Sequence, residues 1–362
     1  MRRVKIFGAG SIGNHLANAC RHYDWEVHIC DIDPDALVRT KNDIYPTRYG
    51  KWDEAIQLHE VKDAPKGDFD LIVIGTPPDS HFEIALSVLK DETPKSILIE
   101  KPLCRPSLQH AQELFDIVKE KGIRVFTGYD HVLGLASKKV TELVNEKNLG
   151  APETIDVEFR EHWGGIFNAH PWLEGPHDSY LGFWERGGGS LGEHSHALNL
   201  WQYFSILTGA GKVSTVNAMF DFEKTDKVEY DKLALLNLKT DTGMVGRVVQ
   251  DVVTKPTRKW GRIQWKNSAI EWIAAYEKDV DAVKFISEGN EEVFKFPKNR
   301  PQDFILEVEH IDKVLTENSD SPVSFERGLE TMLVIAGAYQ SGRENRSVSI
   351  EYTENFNLSV LK

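Results

Sequence analysis

Two stretches of this chain carry side chains that could do chemistry. One is Ile97-Leu98-Ile99-Glu100-Lys101-Pro102-Leu103, an apolar run that ends in a carboxylate, an ammonium and a proline. The other runs from Glu161 to Trp201 and is rich in Trp, His and Gly. It includes Glu161-His162-Trp163, His170-Pro171-Trp172, and Gly187 to Gly192 followed by Glu193-His194-Ser195-His196-Ala197-Leu198-Asn199. A lysine held in a fixed direction can donate hydrogen bonds to an oxygen that gains negative charge. An imidazole near a carboxylate can take up a proton. A wall of aromatic faces suits the C–H side of a sugar ring. Glu100-Lys101 also reads as a plain surface salt pair, and His196 as a satisfied buried histidine, so the elements around them decide.

Residues 97–99 read as a buried parallel strand, since strands covered on both faces are continuously apolar. Glu100 and Lys101 then stand at its carboxyl end, the edge where open α/β sheets bind ligands. Pro102 holds Lys101 towards extended geometry. Val4-Lys5-Ile6-Phe7 also reads as a strand. It runs into Gly8-Ala9-Gly10-Ser11-Ile12-Gly13 and a helix with Ile12, Leu16, Ala19 and Cys20 on one face. Gly8 permits the tight turn, Gly10 the approach of a pyrophosphate, and Gly13 close packing of helix on strand. The helix start at Ser11 and Ile12 offers free N–H groups to phosphates. A further strand, Glu26 to Cys30, ends in Asp31, placed to bond adenosine ribose hydroxyls. Dinucleotide binding follows, with NAD favoured over NADP because Asp31 repels a 2′-phosphate. Asp33 adds negative charge, and Arg39 is poorly placed as a phosphate clamp. Asp31-Ile32-Asp33-Pro34 also suits a helix-capping turn, and both roles are compatible.

The next strand, 69–74, ends in Gly75-Thr76-Pro77-Pro78-Asp79-Ser80-His81. This loop lies at the same sheet edge, so Thr76, Pro77 and His81 are candidates for the cofactor side. His81 reads as structural or cofactor-facing rather than as a base. A short helix is expected at 52–57, longer ones at 81–90 and 107–121, and a strand at 123–126. Repeated strand–helix units predict a doubly wound parallel sheet.

In this order and at these intervals, Gly8-x-Gly10-x-x-Gly13, Thr76-Pro77-Pro78 with His81, and Glu100-Lys101-Pro102 resemble the glucose–fructose oxidoreductase and inositol dehydrogenase (Gfo/Idh/MocA) family. The likeness covers the first 130 residues well and nearly all the rest more loosely. It implies a Rossmann domain over 1–128, then a substrate and oligomerisation domain over 129–362 with a large, mainly antiparallel sheet. It also implies that Lys101 is catalytic and near the nicotinamide, with Glu100 beside it. Tyr129-Asp130-His131 stands where such proteins often carry Tyr-Asn-x-Arg, and the arginine is absent. The helix after the glycine run, about 191–207, resembles the family helix bearing a catalytic acid–histidine pair, here Glu193 with His196. The usual acid is Asp, and some members place histidine where this chain has Ala197. Homo-oligomerisation, as a dimer or tetramer, is implied in the same way.

Helical geometry puts Glu193, His196 and Asn199 on one face. His194 falls about 200° from His196 at 100° per residue. A helix cannot aim both at one ion, so no metal site is expected there, although a strand could. Tyr129, Trp163 and Asn199 are candidates for substrate contact. Strands are expected at 154–160, 213–220, 232–239, 244–253, 261–266, 268–274 and 348–350, with helices at 137–148, 302–317 and 325–341.

Composition bounds the rest. The 362 residues include 43 basic and 56 acidic side chains, a net charge of −13 that disfavours nucleic acid and anionic membranes as partners. Three cysteines without metal-type spacing fit a reduced, cytoplasmic setting. No signal-peptide core follows Met1-Arg2-Arg3, and no apolar run approaches membrane-spanning length. The resulting expectation is an NAD-dependent enzyme that interconverts a secondary alcohol and a ketone on a sugar, cyclitol or sugar derivative. Two variants stay open: cofactor recycling between two sugars, and NADP-linked reduction of a nucleotide-linked keto sugar. A cofactor-sensing regulatory protein without turnover is the alternative of a different class.

Overall fold

A computed structural model describes residues 1–168 and 172–362 and divides the chain into two compact units. The first comprises Met1–Cys104, His110–Asp130 and Arg300–Gly328; the second comprises Arg105–Gln109, His131–Asn299 and Leu329–Lys362. These compact units are not consecutive stretches of sequence, unlike the expected division at 128/129. Residues 300–328 return to the N-terminal unit, which sequence order alone could not show.

In chain order the first unit contains β1 (Arg3–Phe7), α1 (Ser11–His22), β2 (Glu26–Asp31), α2 (Pro34–Arg39), α3 (Tyr45–Tyr49), β3 (Ile56–Glu60), β4 (Leu71–Ile74), α4 (His81–Asp91), β5 (Ser96–Ile99), α5 (Ala111–Lys121) and β6 (Arg124–Thr127). The strands form one parallel sheet in the order β3-β2-β1-β4-β5-β6. Every residue of β4 and β5 is fully buried, all of them apolar except Ser96, whose hydroxyl donates to the Asp70 carbonyl at 2.7 Å. The helix expected at 52–57 is absent. That region enters β3 instead, a half-buried edge strand whose polar residues hide its period.

The second unit contains α6 (Leu135–Lys147), β7 (Thr154–Arg160), α7 (Trp163–Asn168), α8 (Gly189–Glu193), α9 (Ser195–Leu207), β8 (Val213–Lys224), β9 (Glu229–Thr240), β10 (Val245–Asp251), β11 (Arg258–Gln264), β12 (Ser268–Glu277), β13 (Val280–Ser287) and β14 (Asn290–Pro297). Helix α10 (Arg300–Glu317) follows and belongs to the first unit; α11 (Phe325–Glu344) and β15 (Val348–Ser349) close the chain. The sheet order is β14-β13-β12-β11-β7-β10-β9-β8-β15, antiparallel except for β7 beside β10. Alternation along β9 buries Ala234, Leu236 and Leu238 and leaves Leu235 40% exposed beside its register partner Met219, 68% exposed. The single helix expected over 191–207 is two helices, broken at His194 (φ −95°, ψ 23°).

Helix α10 is tied to the first sheet's layer by a stacked pair, Phe304 on His15 of α1 at 4.6 Å, and by an ion pair between Asp312 and Arg2. On the same helix Glu307 has no exposed surface, and neither carboxylate oxygen has a hydrogen-bond partner among the described residues. Burial, then the charges of Glu100, Asp130 and Asp303, holds its carboxyl well above the usual carboxylate range. The folded state thus keeps a proton that the unfolded chain releases above pH ~4.3. Stability falls as pH rises through that window, by about 1.4 kcal/mol per pH unit while the proton stays bound. Glu307→Gln removes this dependence. The variant is expected to match the wild type near pH 4 and to exceed it by a margin that grows as pH rises towards 7, read from urea midpoints.

Candidate active site

Strand β1 sits between β2 and β4, where the sheet's connections change direction, and the crevice at such a point is the ligand site of this architecture. The glycines there have three separate reasons. Gly8 has φ +107°, and a Cβ on it would lie 2.7 Å from the Gly75 carbonyl oxygen. A Cβ on Gly13 would stand 1.9 Å from the Gly8 oxygen, which no side chain survives. A Cβ on Gly10 would meet nothing within 4 Å, so that position is open on the protein's side. The turn is fixed by groups that sequence reasoning missed. Asn14 Nδ2 donates to the Ala9 and Gly10 carbonyls at 3.1 and 2.8 Å, and the Thr40 hydroxyl donates to Ala9 at 2.6 Å. Asp31, at the end of β2, accepts from the Ala9 N–H at 2.7 Å and the Asp33 N–H at 2.9 Å. Arg39 is paired with Asp33 at 3.2 Å. The open position, the free end of α1 and the anchored Asp31 fit a dinucleotide.

At the ends of β4 and β5 stand the other two motifs. His81 is fully buried between the carbonyls of Thr76 (2.7 Å) and Leu103 (3.3 Å). Burial takes its pKa down to about 4, so it is neutral at ordinary pH and has one ring N–H to donate to one of these two carbonyls. As a cofactor-side residue it can act only through Thr76, whose hydroxyl is bonded to Ser80 at 2.8 Å. Glu100 is 6% exposed, and its carboxylate fills the space a Cβ on Gly128 would need, 2.6 Å from Oε1. It accepts from the Lys101 N–H at 3.3 Å. Lys101 is half-buried at the carboxyl edge of the sheet.

The second unit changes several expectations. Glu193 ends α8 and accepts from Tyr180 Oη at 3.4 Å, whereas His196 opens α9 beyond the break, so the shared-face argument fails for that pair. The neighbour of His196 within its unit is His131, with ring centroids 4.3 Å apart, on a base of Phe159 and Trp272. The departure from Tyr-Asn-x-Arg at Tyr129-Asp130-His131 was the only signal for His131. The three residues expected at the substrate are all buried. Asn199 is buried and its amide donates to Thr331 at 3.2 Å. Trp163 packs in a small core with Leu181, Val228, Tyr230 and Val252. Tyr129 is 1% exposed. His170 and Pro171 lie outside the described residues.

The chain matches a family model for an oxidoreductase NAD-binding Rossmann fold over residues 2–129, and the C-terminal α/β domain of the same family over 142–350. The chain belongs to the Gfo/Idh/MocA oxidoreductase family. It is similar to the uncharacterized oxidoreductase YhhX of Escherichia coli, 46% identical over 68 residues, 19% of this chain and 18% of that one. It is also similar to myo-inositol 2-dehydrogenase of Thermotoga maritima, 22% identical over 166 residues, 44% of this chain and 45% of that one. These matched stretches span less than half of either relative. A structure of levoglucosan dehydrogenase in complex with NADH has the same fold, with TM-score 0.77 at 17% identity, over 97% of this chain and 100% of that one.

In this family member the glycine run before Glu193 is held by a residue that sequence reasoning missed. Asp231 of β9 has no exposed surface. It accepts from the Ser190 hydroxyl at 2.6 Å, the Leu191 N–H at 2.8 Å and the Tyr339 hydroxyl at 2.7 Å. Burial nevertheless pushes its pKa up to about 6. Gly189 has φ +76°, and a Cβ on it would lie 2.0 Å from Asp231 Oδ1. Gln250 Nε2 bonds the Ser190 and Leu191 carbonyls at 3.0 and 3.2 Å from the other side. No motif announces Asp231, which lies about 40 residues downstream on a strand. Ser190→Ala removes a hydrogen bond to a buried carboxylate. It is expected to lower stability by about 1.5–3 kcal/mol, measured from the denaturant midpoint at pH 7.

Proposed function

We propose that this protein is an NAD-dependent dehydrogenase that interconverts a secondary alcohol and a ketone on a sugar, cyclitol or sugar derivative. The observation that carries the reading is Glu100-Lys101-Pro102 at the carboxyl end of β5, in a sheet whose switch point bears the Gly8-Gly10-Gly13 turn. The names of the relatives support the substrate class. Gly8, Gly10, Ser11, Ile12, Gly13, Asp31, Thr76 and Pro77 would hold the cofactor. When bound, its nicotinamide takes or gives the hydride.

The chain's own groups have separate tasks in this proposal. Lys101 donates hydrogen bonds to the substrate oxygen as negative charge develops on it. His196 takes the hydroxyl proton in the oxidation direction and returns it in reduction. Glu193 tunes or orients that histidine, with His131 packed beside it. Glu100, clamped against Gly128, fixes the backbone from which Lys101 projects. Asp31 keeps its carboxylate on the Ala9 and Asp33 N–H groups, and its charge opposes a 2′-phosphate. Met219 and Leu235, exposed side by side on the outer sheet face, suit packing against a second copy in a homodimer or homotetramer.

Fluorescence titration should show tighter binding of NADH than of NADPH, and equal or tighter NADPH binding would overturn the role given to Asp31. With NAD and a panel of sugars and cyclitols, the wild type is expected to turn over at least one. Lys101→Met should abolish that turnover and leave NADH affinity within about twofold; His196→Ala should lower kcat about 100-fold or more. Retained turnover in Lys101→Met would sink the role assigned to the lysine.

A further inference from the structure

Arg48, on the short helix α3, reaches the start of α1. Its Nη1 donates to the Ser11 carbonyl and its Nη2 to the Ser11 hydroxyl, both at 2.9 Å. The next residue, Tyr49, meets His15 Nδ1 at 2.6 Å, and His15 stacks on Phe304 at 4.6 Å. The guanidinium of Arg300 lies over the Phe304 ring at 5.8 Å. Arg48, Tyr49, His15, Phe304 and Arg300 thus form one continuous flank of the glycine turn, inside the first unit. Burial, together with the nearby charge of Arg300, holds the Arg48 pKa below its usual value.

The charge there is unusual for this chain. Arg2, Arg3, Arg21 and Arg39 of the same unit each have a carboxylate partner. Among the described residues Arg48 bonds only Ser11, Arg300 lies over Phe304, and neither has a carboxylate. The first turn of α1 carries no acid either. A guanidinium has five N–H donors, and Ser11 uses two. So the positive helix end beside the open Gly10 has one uncompensated arginine bonded to its first residue and a second, Arg300, whose charge acts on the first, in a protein of net charge −13.

We propose that Arg48, assisted by Arg300, is a pyrophosphate-binding residue of the dinucleotide site. Arg48 has two tasks: it fixes the Ser11 side chain and it adds a charge-assisted donor for the phosphates. Arg300, more exposed, contributes mainly field. The proposal rests on the cofactor reading above, and the test separates the two.

The wild type, Arg48→Met, Arg48→Lys and Arg300→Met are titrated with NADH, ADP and adenosine, at low and high salt. Arg48→Met is expected to weaken NADH and ADP about tenfold, to flatten the salt dependence, and to leave adenosine, which has no phosphate, unchanged. Arg48→Lys should fall between, because lysine keeps the charge and loses the fork. Arg300→Met, on the surface, should weaken NADH about twofold and also flatten the salt dependence. If Arg48→Met binds NADH like the wild type, or loses adenosine equally, the proposal is overturned and the arginine only braces α3 on α1. A wild type that binds neither NADH nor ADP would overturn the cofactor reading and this proposal with it.

Discussion

The site depends on one close approach. The nitrogen end of α1 lies on the turn after β1 only because Gly13 has no Cβ; a methyl group there would overlap the Gly8 oxygen at 1.9 Å. Gly8 in turn presses on Gly75 at the end of β4. Three chain segments therefore meet at a point with no side chains, and Asn14, Thr40 and Asp31 tie its backbone. Packing this tight is rigid, so the free N–H groups of the helix start are preorganised. Binding there need not first order the loop.

The sequence displayed the parts of this arrangement that are local. Strand β4 and residues 97–99 of β5 are continuous apolar runs because both faces are covered, and the Gly8 to Gly13 spacing states its own geometry. What stayed hidden is set by distant or weakly patterned residues. Strand β3 is an edge with polar side chains. Strand β14 reads Asn-Glu-Glu-Val-Phe-Lys-Phe-Pro and is largely exposed, so neither it nor β13 beside it was expected; the turn at Glu288 (φ 52°) and Gly289 (φ 81°) was the available signal. Helix α10 looked like part of the second domain because the contacts that assign it to the first, the His15–Phe304 stack and the Arg2–Asp312 ion pair, span nearly the whole chain.

The functional residues divide in the same way. Lys101 and the glycine turn sit where their motifs place them. Trp163, Asn199 and Tyr129 were chosen by type and neighbourhood, and all three side chains are buried. An aromatic or amide in a loop-like sequence does not reveal whether a core will claim it. His131 and Asp231 could not be ranked at all, since each matters through a partner far along the chain.

Asp231 also sets apart two glycine patterns of this protein that share one spacing. Gly187-Gly188-Gly189-Ser190-Leu191-Gly192 repeats the G-x-G-x-x-G spacing of Gly8 to Gly13 and likewise opens a helix. It even repeats the close approach, since a Cβ on Gly192 would lie 2.0 Å from the Gly187 oxygen. But the anion that such a helix start attracts is already supplied: the Asp231 carboxylate takes the Leu191 N–H and the Ser190 hydroxyl. At the first turn the equivalent hydroxyl, Ser11, meets a guanidinium instead. The same backbone device is thus closed by an internal acid in one unit and left positive in the other. Spacing alone cannot separate the two cases; the charge of the residue that meets the serine can.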